Sequence, residues 1–267
     1  MKLHLVPART GVEWVRLGLR TFWRQPLAFI SLFFMFMAVM SIAAQLPLIG
    51  SVVAPVFLPF MTLGLMVATS VAFDPETPRP VASAMFVSAV KAMRFRWRPM
   101  LVLGVISAIY FVLAVMASTL IDGGQLARAY LLDETIAPEV MAGSDFQTAR
   151  LLVMCLNLPL SLAMWHAPAL VHWHAVEPAK SLFFSLVALF RNFTAYAMFC
   201  LTWFGVFMIA GIALGLVATI LVAVGAMAVG GSASMLGGAL MIGCALTLAA
   251  MSLSSTWFTF RDSFDPE

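Results

Sequence analysis

Histidine and tryptophan residues are concentrated in one short stretch of this sequence. Trp165 and His166 are followed by His172, Trp173 and His174, and an imidazole ring can bind a transition metal or change its charge near neutral pH. On a regular helix, however, His172 and His174 would point about 200° apart, so they could not bind the same metal ion. The spacing favours an aromatic and histidine belt at a membrane surface, with a histidine that contacts lipid headgroups or senses pH as the alternative.

Other residues that could do chemistry are sparse. Asn157 is the most conspicuous neutral polar residue within an apolar stretch, and we group it with His166, His172 and His174 as a candidate polar site. A hydrogen bond between helices is the role that we expect for Asn157, and binding of a solute is the alternative. No Asp, Glu, Lys or Arg lies inside the predicted membrane spans, which argues against the ionisable relays that proton pumps and ion-coupled carriers use.

The sequence also lacks the common catalytic and nucleotide-binding patterns. It contains no G-x-S-x-G nucleophile motif and no Walker or Rossmann glycine pattern. The three cysteines, Cys155, Cys200 and Cys244, lie in apolar runs without the spacing of a metal site. We therefore expect no catalytic residue, no bound metal and no cofactor.

Cationic residues form a second candidate site. They recur every three or four residues in two helix-like stretches that are rich in aromatic residues, and the set is Arg16, Arg20, Arg24, Lys91, Arg94 and Arg98. A helix of this kind lies in the membrane interface, with its apolar side toward the acyl chains and its guanidinium groups toward phosphates. We predict that these side chains contact anionic lipid headgroups at the cytoplasmic face.

The net charge does not indicate nucleic acid as a partner. It is +3, with a pI of about 9.0, but the basic residues adjoin apolar runs instead of forming a patch on a soluble module. Membrane lipids are the partners that this pattern favours. The sequence indicates no particular protein partner.

The elements that must position these residues are apolar. Hydrophobic residues make up 63% of the 267 residues and charged residues 10%, against roughly 25% charged in an average soluble domain, so a soluble globular fold is excluded. Charge-free stretches, cut at clusters of proline and glycine, predict spans at 27–45, 52–72, 100–121, 151–171, 196–222 and 236–258. At ~1.5 Å per residue, each span can cross a hydrocarbon core of about 30 Å.

The distribution of lysine and arginine predicts the orientation of the chain in the membrane. With six spans, only Arg128 and Arg150 of the 15 Lys and Arg residues fall on one side. Because cytoplasmic loops retain positive charge, we predict a multi-pass protein of the bacterial inner membrane with both termini in the cytoplasm. The connector 122–149 is then extracytoplasmic, and Ser144 with Gln147 resembles a capping box that opens the fourth span.

Similar sequences precede the first, third and fifth spans. They are Phe22-Trp23-Arg24-Gln25-Pro26, Phe95-Arg96-Trp97-Arg98-Pro99 and Phe190-Arg191-Asn192-Phe193. The exits Phe73-Asp74-Pro75-Glu76 and Phe264-Asp265-Pro266-Glu267 also match. We predict one integral membrane domain, 1–267, of the all-α class, with six transmembrane helices in three hairpins, each preceded by an amphipathic interfacial helix. The repeat units are predicted at 9–76, 80–177 and 178–267.

Small residues in the fifth predicted span suggest a close helix contact. Gly211 and Gly215 are separated by three residues, a spacing that allows two helix backbones to approach each other. We expect this face to pack against another helix of the same chain, with a dimer interface as the alternative.

These motifs resemble a known family. The Arg- and Trp-rich start before Pro26, the Pro80-x-x-Ser83 entry and the exit from Trp257 to Phe264 are similar to an uncharacterised family of proteobacterial six-span inner-membrane proteins. More distantly, they resemble the YciC-like proteins and the membrane domain attached to some glycerophosphodiester phosphodiesterases. The resemblance covers nearly the whole chain and implies an inner-membrane location without a known activity. The catalytic barrel of the phosphodiesterases has no counterpart in the sequence, so the resemblance does not imply that activity.

Two kinds of function follow from these patterns. We expect a non-enzymatic membrane protein that organises lipid or binds a partner protein. The alternative is a transporter or flippase of a neutral or amphipathic small molecule, because prolines such as Pro55, Pro59, Pro159 and Pro168 can break helices around a path. A membrane-embedded enzyme would depend on the histidine cluster alone.

Overall fold

The structure is a computed structural model that describes residues 2–47, 49–74, 81–223 and 232–264. Side chains are described within these ranges except at 221–223, 232–237 and 240. Over the described residues the chain forms α-helices and no strand, and Leu3 and Phe264 make an isolated antiparallel bridge. The predicted all-α class is therefore confirmed.

The helices of the described chain alternate between long and short segments. In chain order they are α1 (Thr10–Arg24), α2 (Pro26–Ala44), α3 (Gly50–Val53), α4 (Leu58–Phe73), α5 (Ala82–Phe95), α6 (Trp97–Asp122), α7 (Gln125–Leu131), α8 (Pro138–Ala142), α9 (Ser144–Met164), α10 (Ala167–Trp173), α11 (Pro178–Arg191), α12 (Phe193–Ala223) and α13 (Ser232–Ser263). A short 3-10 helix, Ala54–Phe57, joins α3 to α4.

Six segments of the described chain are long and apolar enough to cross a bilayer, as predicted. They are α2, α3 with α4, α6, α9 with α10, α12 and α13, and we number them as spans one to six. Span four begins at Ser144, earlier than predicted, and span six continues to Ser263, beyond the predicted end at 258. Parts of the predicted glycine-rich turn before span six and of the two matching exits lie outside the described residues.

Prolines interrupt spans two and four. In span two, Pro55 and Pro59 fall in and after the 3-10 helix between α3 and α4. In span four, Pro168 cannot donate a hydrogen bond to the carbonyl of Met164, and its ring crowds that carbonyl. The helix therefore stops at Met164 and starts again at Ala167, which leaves Trp165 and His166 at the break.

A single residue separates each amphipathic helix from the span that follows it. The breaks are at Gln25, Arg96 and Asn192. Arg96 and Asn192 adopt nearly the same backbone angles, with φ near −110° and ψ near 25°, whereas Gln25 has ψ 61° because a residue before proline avoids the helical region. The matching sequences before spans one, three and five therefore form matching bends, while the limits of the repeat units stay a prediction.

The connector between spans three and four is partly structured. It contains α7 and α8, and Leu126 of α7 is buried together with Phe146 of α9. The predicted capping box is wrong: Gly143 occupies the cap position of α9, and the Gln147 amide donates to the Met141 carbonyl instead.

Span five is the least buried of the six spans in the described chain. In the most apolar stretch of span five, 6% of the residues are buried. In the corresponding stretch of each other span, at least 28% are buried. A Cβ atom placed on Gly211 or Gly215 would meet no described atom within 4 Å. The predicted packing of this face against another helix is therefore not observed within the described chain.

Candidate functional site

The six cationic residues predicted to contact headgroups lie on the protein surface. Arg16, Arg20, Arg24, Lys91, Arg94 and Arg98 are all exposed. One contact places α1 beside the end of span two, because Arg24 Nη1 donates to the Ala72 carbonyl over 2.9 Å. We call this end of the bundle, where α1, α5 and α11 join the spans, the basic end.

The apolar side of α1 packs on protein and not on lipid, which corrects the predicted insertion of that side into acyl chains. Trp14 and Phe22 are fully buried, and the indole of Trp14 contacts the rings of Tyr196 and Phe199 in α12. A Cβ atom at Gly11 would overlap the Ala195 carbonyl oxygen, so only glycine allows this close approach. Helix α1 is thereby held against α12 and α13 with its arginines outward.

Helix α5 is arranged in the same way. Its residues Met85 and Ala89 are fully buried and it packs mainly against α4, while Lys91 and Arg94 face outward. Arg98, in the first turn of α6, lies over the ring of its neighbour Trp97 at 5.4 Å.

Exposed aromatic rings accompany the cations at each of the three bends. Trp23 lies beside Arg24 in the first, Phe95 and Trp97 flank Arg96 in the second, and Phe190 and Phe193 flank the third. All five rings are exposed, with fractions from 50% to 74%. Tryptophan and arginine together are typical of residues at the headgroup level of a bilayer.

His166 lies in the interior, where its ring joins spans four, five and six. The side chain is fully buried, and its Nε2 atom is 3.1 Å from both the Thr259 hydroxyl and the Tyr196 hydroxyl. The Tyr196 hydroxyl also lies 3.0 Å from the Ser263 hydroxyl. Spans that are distant in sequence therefore meet at a polar cluster, which we define as His166, Tyr196, Thr259 and Ser263.

The hydrogen bonds around Thr259 determine which ring nitrogen of His166 acts as the donor. The Thr259 hydroxyl donates to the Thr256 carbonyl and accepts from the Trp165 indole N–H, so its one hydrogen is already used. A hydrogen bond between it and His166 then requires the imidazole to donate from Nε2, which leaves Nδ1 as an acceptor. Among the described residues Nδ1 has no hydrogen-bond partner.

The other two histidines of the predicted polar site point elsewhere. The His172 ring contacts Trp173, and Arg96 is its charged neighbour. The His174 ring packs on Phe260 and Phe264, and His166 packs on the same two rings. No three His, Cys, Asp or Glu residues in the described chain come together in a way that could hold a metal ion. The three histidines therefore surround an aromatic cluster and do not converge on one point.

Asn157 lies in a separate small pocket between spans two, three and four. This small pocket has a volume of about 150 Å³ and is lined in part by Pro55, Pro59, Ser107, Asn157, Ser161 and Pro168. The Asn157 amide donates to the Val153 carbonyl in its own helix, and the predicted bond to another helix is not observed among the residues that the structure describes. The four residues of the predicted polar site therefore do not form one site.

Two larger apolar cavities open along the first half of α12. The side pocket, of about 310 Å³, is lined in part by Leu162, Trp165, Leu189, Phe190, Phe193 and Cys200. The lateral cleft, of about 580 Å³, is lined in part by Thr62, Ser161, Trp165, Cys200, Phe204 and Phe207. Trp165 and Cys200 belong to both cavities, so the two cavities adjoin.

The partners of His166 were not predicted from the sequence. The predicted span six ends at 258, so Thr259 and Ser263 fall in the exit that follows it and not in the span. A signal was present, because Ser255, Thr259 and Ser263 recur every four residues and share one helix face. A span six that continues past position 261 includes the charged side chain of Arg261, which then needs an ion partner. Asp262 is that partner, because its Oδ1 atom lies 2.7 Å from Arg261 Nε.

Comparison with known proteins supports the membrane assignment. A probable inner membrane protein of Burkholderia thailandensis is 30% identical to this sequence, over 99% of this chain and 94% of that protein. This chain belongs to the same family of inner membrane proteins. It is accordingly a multi-pass protein of the inner membrane. No family model and no solved structure matches the chain, so the link to YciC-like proteins stays a resemblance.

Proposed function

We propose that this inner membrane protein is non-enzymatic and binds anionic lipid headgroups at the cytoplasmic face through the basic sides of α1 and α5. The observation that carries the proposal is that both helices bury their other side in the protein while Arg16, Arg20, Lys91 and Arg94 are exposed. A row of cations fixed at the end of a membrane bundle attracts lipid phosphates, by about 1 kcal/mol for each residue near an anionic surface.

The charge distribution supports placing the basic end in the cytoplasm. Of the 15 Lys and Arg residues only Arg128 and Arg150 lie in or beside the connector at the opposite end, and cytoplasmic segments retain positive charge. The exposed rings at the three bends would then lie at the level of the cytoplasmic headgroups.

The burial of His166 supports a non-enzymatic role. Its imidazole is fully enclosed and hydrogen-bonded to Thr259 and Tyr196. A substrate could reach the ring only if spans four, five and six separated.

The test reverses the charge of residues that have no supporting role. Arg24 is left unchanged because it bonds to the Ala72 carbonyl, and the variant is R16E/R20E/K91E/R94E. The purified protein is titrated with phosphatidylglycerol in a neutral detergent, and its melting temperature is followed. We expect phosphatidylglycerol to stabilise the wild type and to have little effect on the variant.

The matched control is R128E/R150E, which reverses the two exposed arginines of the opposite end. It should respond to phosphatidylglycerol as the wild type does. The proposal is wrong if R16E/R20E/K91E/R94E and the wild type are stabilised to the same extent, or if phosphatidylcholine stabilises the wild type equally well.

A transporter or flippase is the second candidate, and the small pocket favours it. Pro55 and Pro59 of span two and Pro168 of span four line this pocket together with Asn157 and Ser161. Interrupted helices that face each other across a polar pocket are found at the binding sites of many transporters.

A lipid-scrambling measurement tests this candidate. Fluorescent phospholipid in proteoliposomes becomes accessible to an external quencher if the protein moves it across the bilayer. Wild-type protein should expose the inner-leaflet lipid, and an Asn157→Leu variant, which removes the amide from the small pocket, should slow this exposure. Full protection of the inner leaflet with the wild type would exclude lipid scrambling.

A further inference from the structure

The side pocket and the lateral cleft meet at Trp165 and Cys200 on one side of α12, and we call the two together the α12 groove. Residues 193, 197, 200, 204 and 207 of α12 line the two cavities, and their spacing of three or four residues places them on one face of the helix. From residue 193 to residue 207 this face is about 21 Å long at ~1.5 Å per residue. The α12 groove therefore runs from the basic end through more than half of a ~30 Å hydrocarbon core.

Helix α1 holds the first turns of α12. Gly11 and Trp14 of α1 contact Ala195 and Phe199; Ala195 lies on the far side of α12 from Cys200 by helical spacing, and Phe199 also lines the lateral cleft. The Trp203 indole N–H donates to the Ser255 hydroxyl of α13 over 3.0 Å. Because α1 and α13 hold this part of α12 in place, the α12 groove is a feature of the packed protein and not of an isolated helix.

The hydrogen-bonding groups that line the α12 groove are already used inside the protein. The hydroxyls of Thr62, Ser161 and Thr256 each donate to a carbonyl of their own helix. The Trp165 indole N–H donates to Thr259. The Tyr196 hydroxyl belongs to the polar cluster. A polar solute would find no free donor among these groups, so the lining suits a hydrocarbon chain.

The mouth of the α12 groove lies beside a positive charge. Phe190 and Phe193 line the mouth, and the exposed Arg191 stands between them in the sequence, in the last turn of α11. Lys180, at the other end of α11, is paired with Glu177 at 2.8 Å. Within the described ranges no ion pair involves Arg191. The charge at the mouth therefore complements a lipid phosphate.

We propose that the α12 groove holds one acyl chain of an anionic phospholipid whose phosphate contacts Arg191. The class of ligand, an anionic lipid, rests on the proposed function. The site itself uses no residue of α1 or α5. One lipid in this position would fill the space that the poorly covered span five leaves open. The site thus binds a single lipid at a defined place, in contrast to the exchangeable headgroup contacts of the basic sides of α1 and α5.

The experiment counts lipids that remain bound to the full-length protein. Protein from nanodiscs of phosphatidylglycerol and phosphatidylcholine is released into detergent and analysed by native mass spectrometry. Cys200→Trp fills the α12 groove, and Ile209→Trp adds the same bulk to the exposed opposite face of α12. We expect one retained phosphatidylglycerol on the wild type and on Ile209→Trp, and a decrease in occupancy of about tenfold on Cys200→Trp.

Variants of Arg191 test the headgroup contact. Arg191→Ala should reduce the preference for phosphatidylglycerol over phosphatidylcholine by about fivefold, and Arg191→Lys should retain most of it. Equal occupancy in Cys200→Trp and Ile209→Trp, or no retained lipid on the wild type, would overturn the proposal. A dimer that is lost only in Cys200→Trp would overturn it too, because a second copy would then occupy the α12 groove.

The proposed function and this site can fail separately. The R16E/R20E/K91E/R94E variant keeps the α12 groove and Arg191, so it should retain the single lipid from the membrane. Because that lipid is already bound, phosphatidylglycerol added in the titration should still give this variant little further stabilisation. Conversely, Cys200→Trp should still be stabilised by phosphatidylglycerol.

Discussion

The indole nitrogen of Trp14 donates a hydrogen bond to Asp262 Oδ2 over 2.9 Å, between residues at opposite ends of the sequence. The other carboxylate oxygen of Asp262 accepts from Arg261 Nε at 2.7 Å. The Arg261 guanidinium in turn lies about 5.1 Å from the ring centres of Phe73 and Phe258. Asp262 thus links α1 to the end of span six, next to the end of span two.

Replacing Trp14 with Phe tests the contribution of this hydrogen bond. Phenylalanine keeps an aromatic ring against Tyr196 and Phe199 but has no N–H, so Asp262 loses one partner. We expect the free energy of unfolding in detergent to fall by about 1.5–3 kcal/mol, the usual range for a hydrogen bond to a charged group. The control, Trp23→Phe, changes an exposed ring and should leave stability nearly unchanged. An equal effect of both substitutions would contradict the assigned bond.

The close contact between α1 and α13 requires glycine at position 18. A Cβ atom on Gly18 would overlap the side chain of Ser255 and lie 2.8 Å from its Cα. Gly18→Ala should therefore separate the two helices and lower the melting temperature, because backbone atoms cannot move aside locally. Gly211→Ala is the matched control, since its Cβ atom would meet no described atom within 4 Å; it should be neutral or slightly stabilising through its helix propensity. Equal melting temperatures for the two variants would refute the close contact.

The polar cluster depends on the hydroxyl of Thr259. Thr259→Val removes the group that accepts the Trp165 N–H and that lies 3.1 Å from His166 Nε2. We expect a loss of about 1–2 kcal/mol in unfolding free energy. Thr256→Val removes only a bond to the Leu253 carbonyl in the same helix and should cost less. If Thr256→Val proved the more damaging change, the polar cluster would not join the spans as described.

Glu177 and Lys180 give a local pH dependence outside the spans. The hydrogen bond and the charge of Lys180 lower the pKa of the Glu177 carboxyl below its ordinary value of 4.5. A carboxyl with a lowered pKa in the folded protein contributes stability above its unfolded pKa, and the contribution is lost as the pH falls through the folded value. Lys180→Ala should raise the pKa of Glu177 toward 4.5, as measured by carbon-13 NMR of the carboxyl groups. The control is Lys91→Ala. Lys91 is not part of the pair between Glu177 and Lys180, so this substitution should leave the pKa of Glu177 unchanged.

Reporter fusions test the proposed orientation. A phosphatase fused after Gly123 should be active, because that residue follows span three at the end opposite the basic end. A fluorescent protein fused after Arg96 should fold and fluoresce in the cytoplasm. Activity of both reporters on the same side would rule out the six-span topology with the basic end inside the cell.

The number of spans and the three bends could be predicted from sequence because they depend on local properties. A segment crosses a bilayer when its own residues are apolar and long enough, whichever helix lies beside it. The bends likewise repeat a short pattern of aromatic and cationic residues, and the structure places them at Gln25, Arg96 and Asn192.

Long-range packing was beyond the reach of these local patterns. The amphipathic pattern of α1 shows that one side avoids water, but lipid and protein are both apolar, so the pattern cannot distinguish them. Only the tertiary structure decided that this side packs on α12 and α13, because Gly11 and Gly18 meet residues that are far away in the sequence.

The polar residues show the same division between what the local sequence predicts and what tertiary packing decides. From sequence alone, Asn157, His166, His172 and His174 could be singled out as polar groups in an apolar chain, but not sorted into separate environments. The tertiary structure placed His166 with Tyr196 and Thr259, and Asn157 in the small pocket. A buried polar group must find its partner within hydrogen-bond distance, and which residues come that close is set by how the six spans pack.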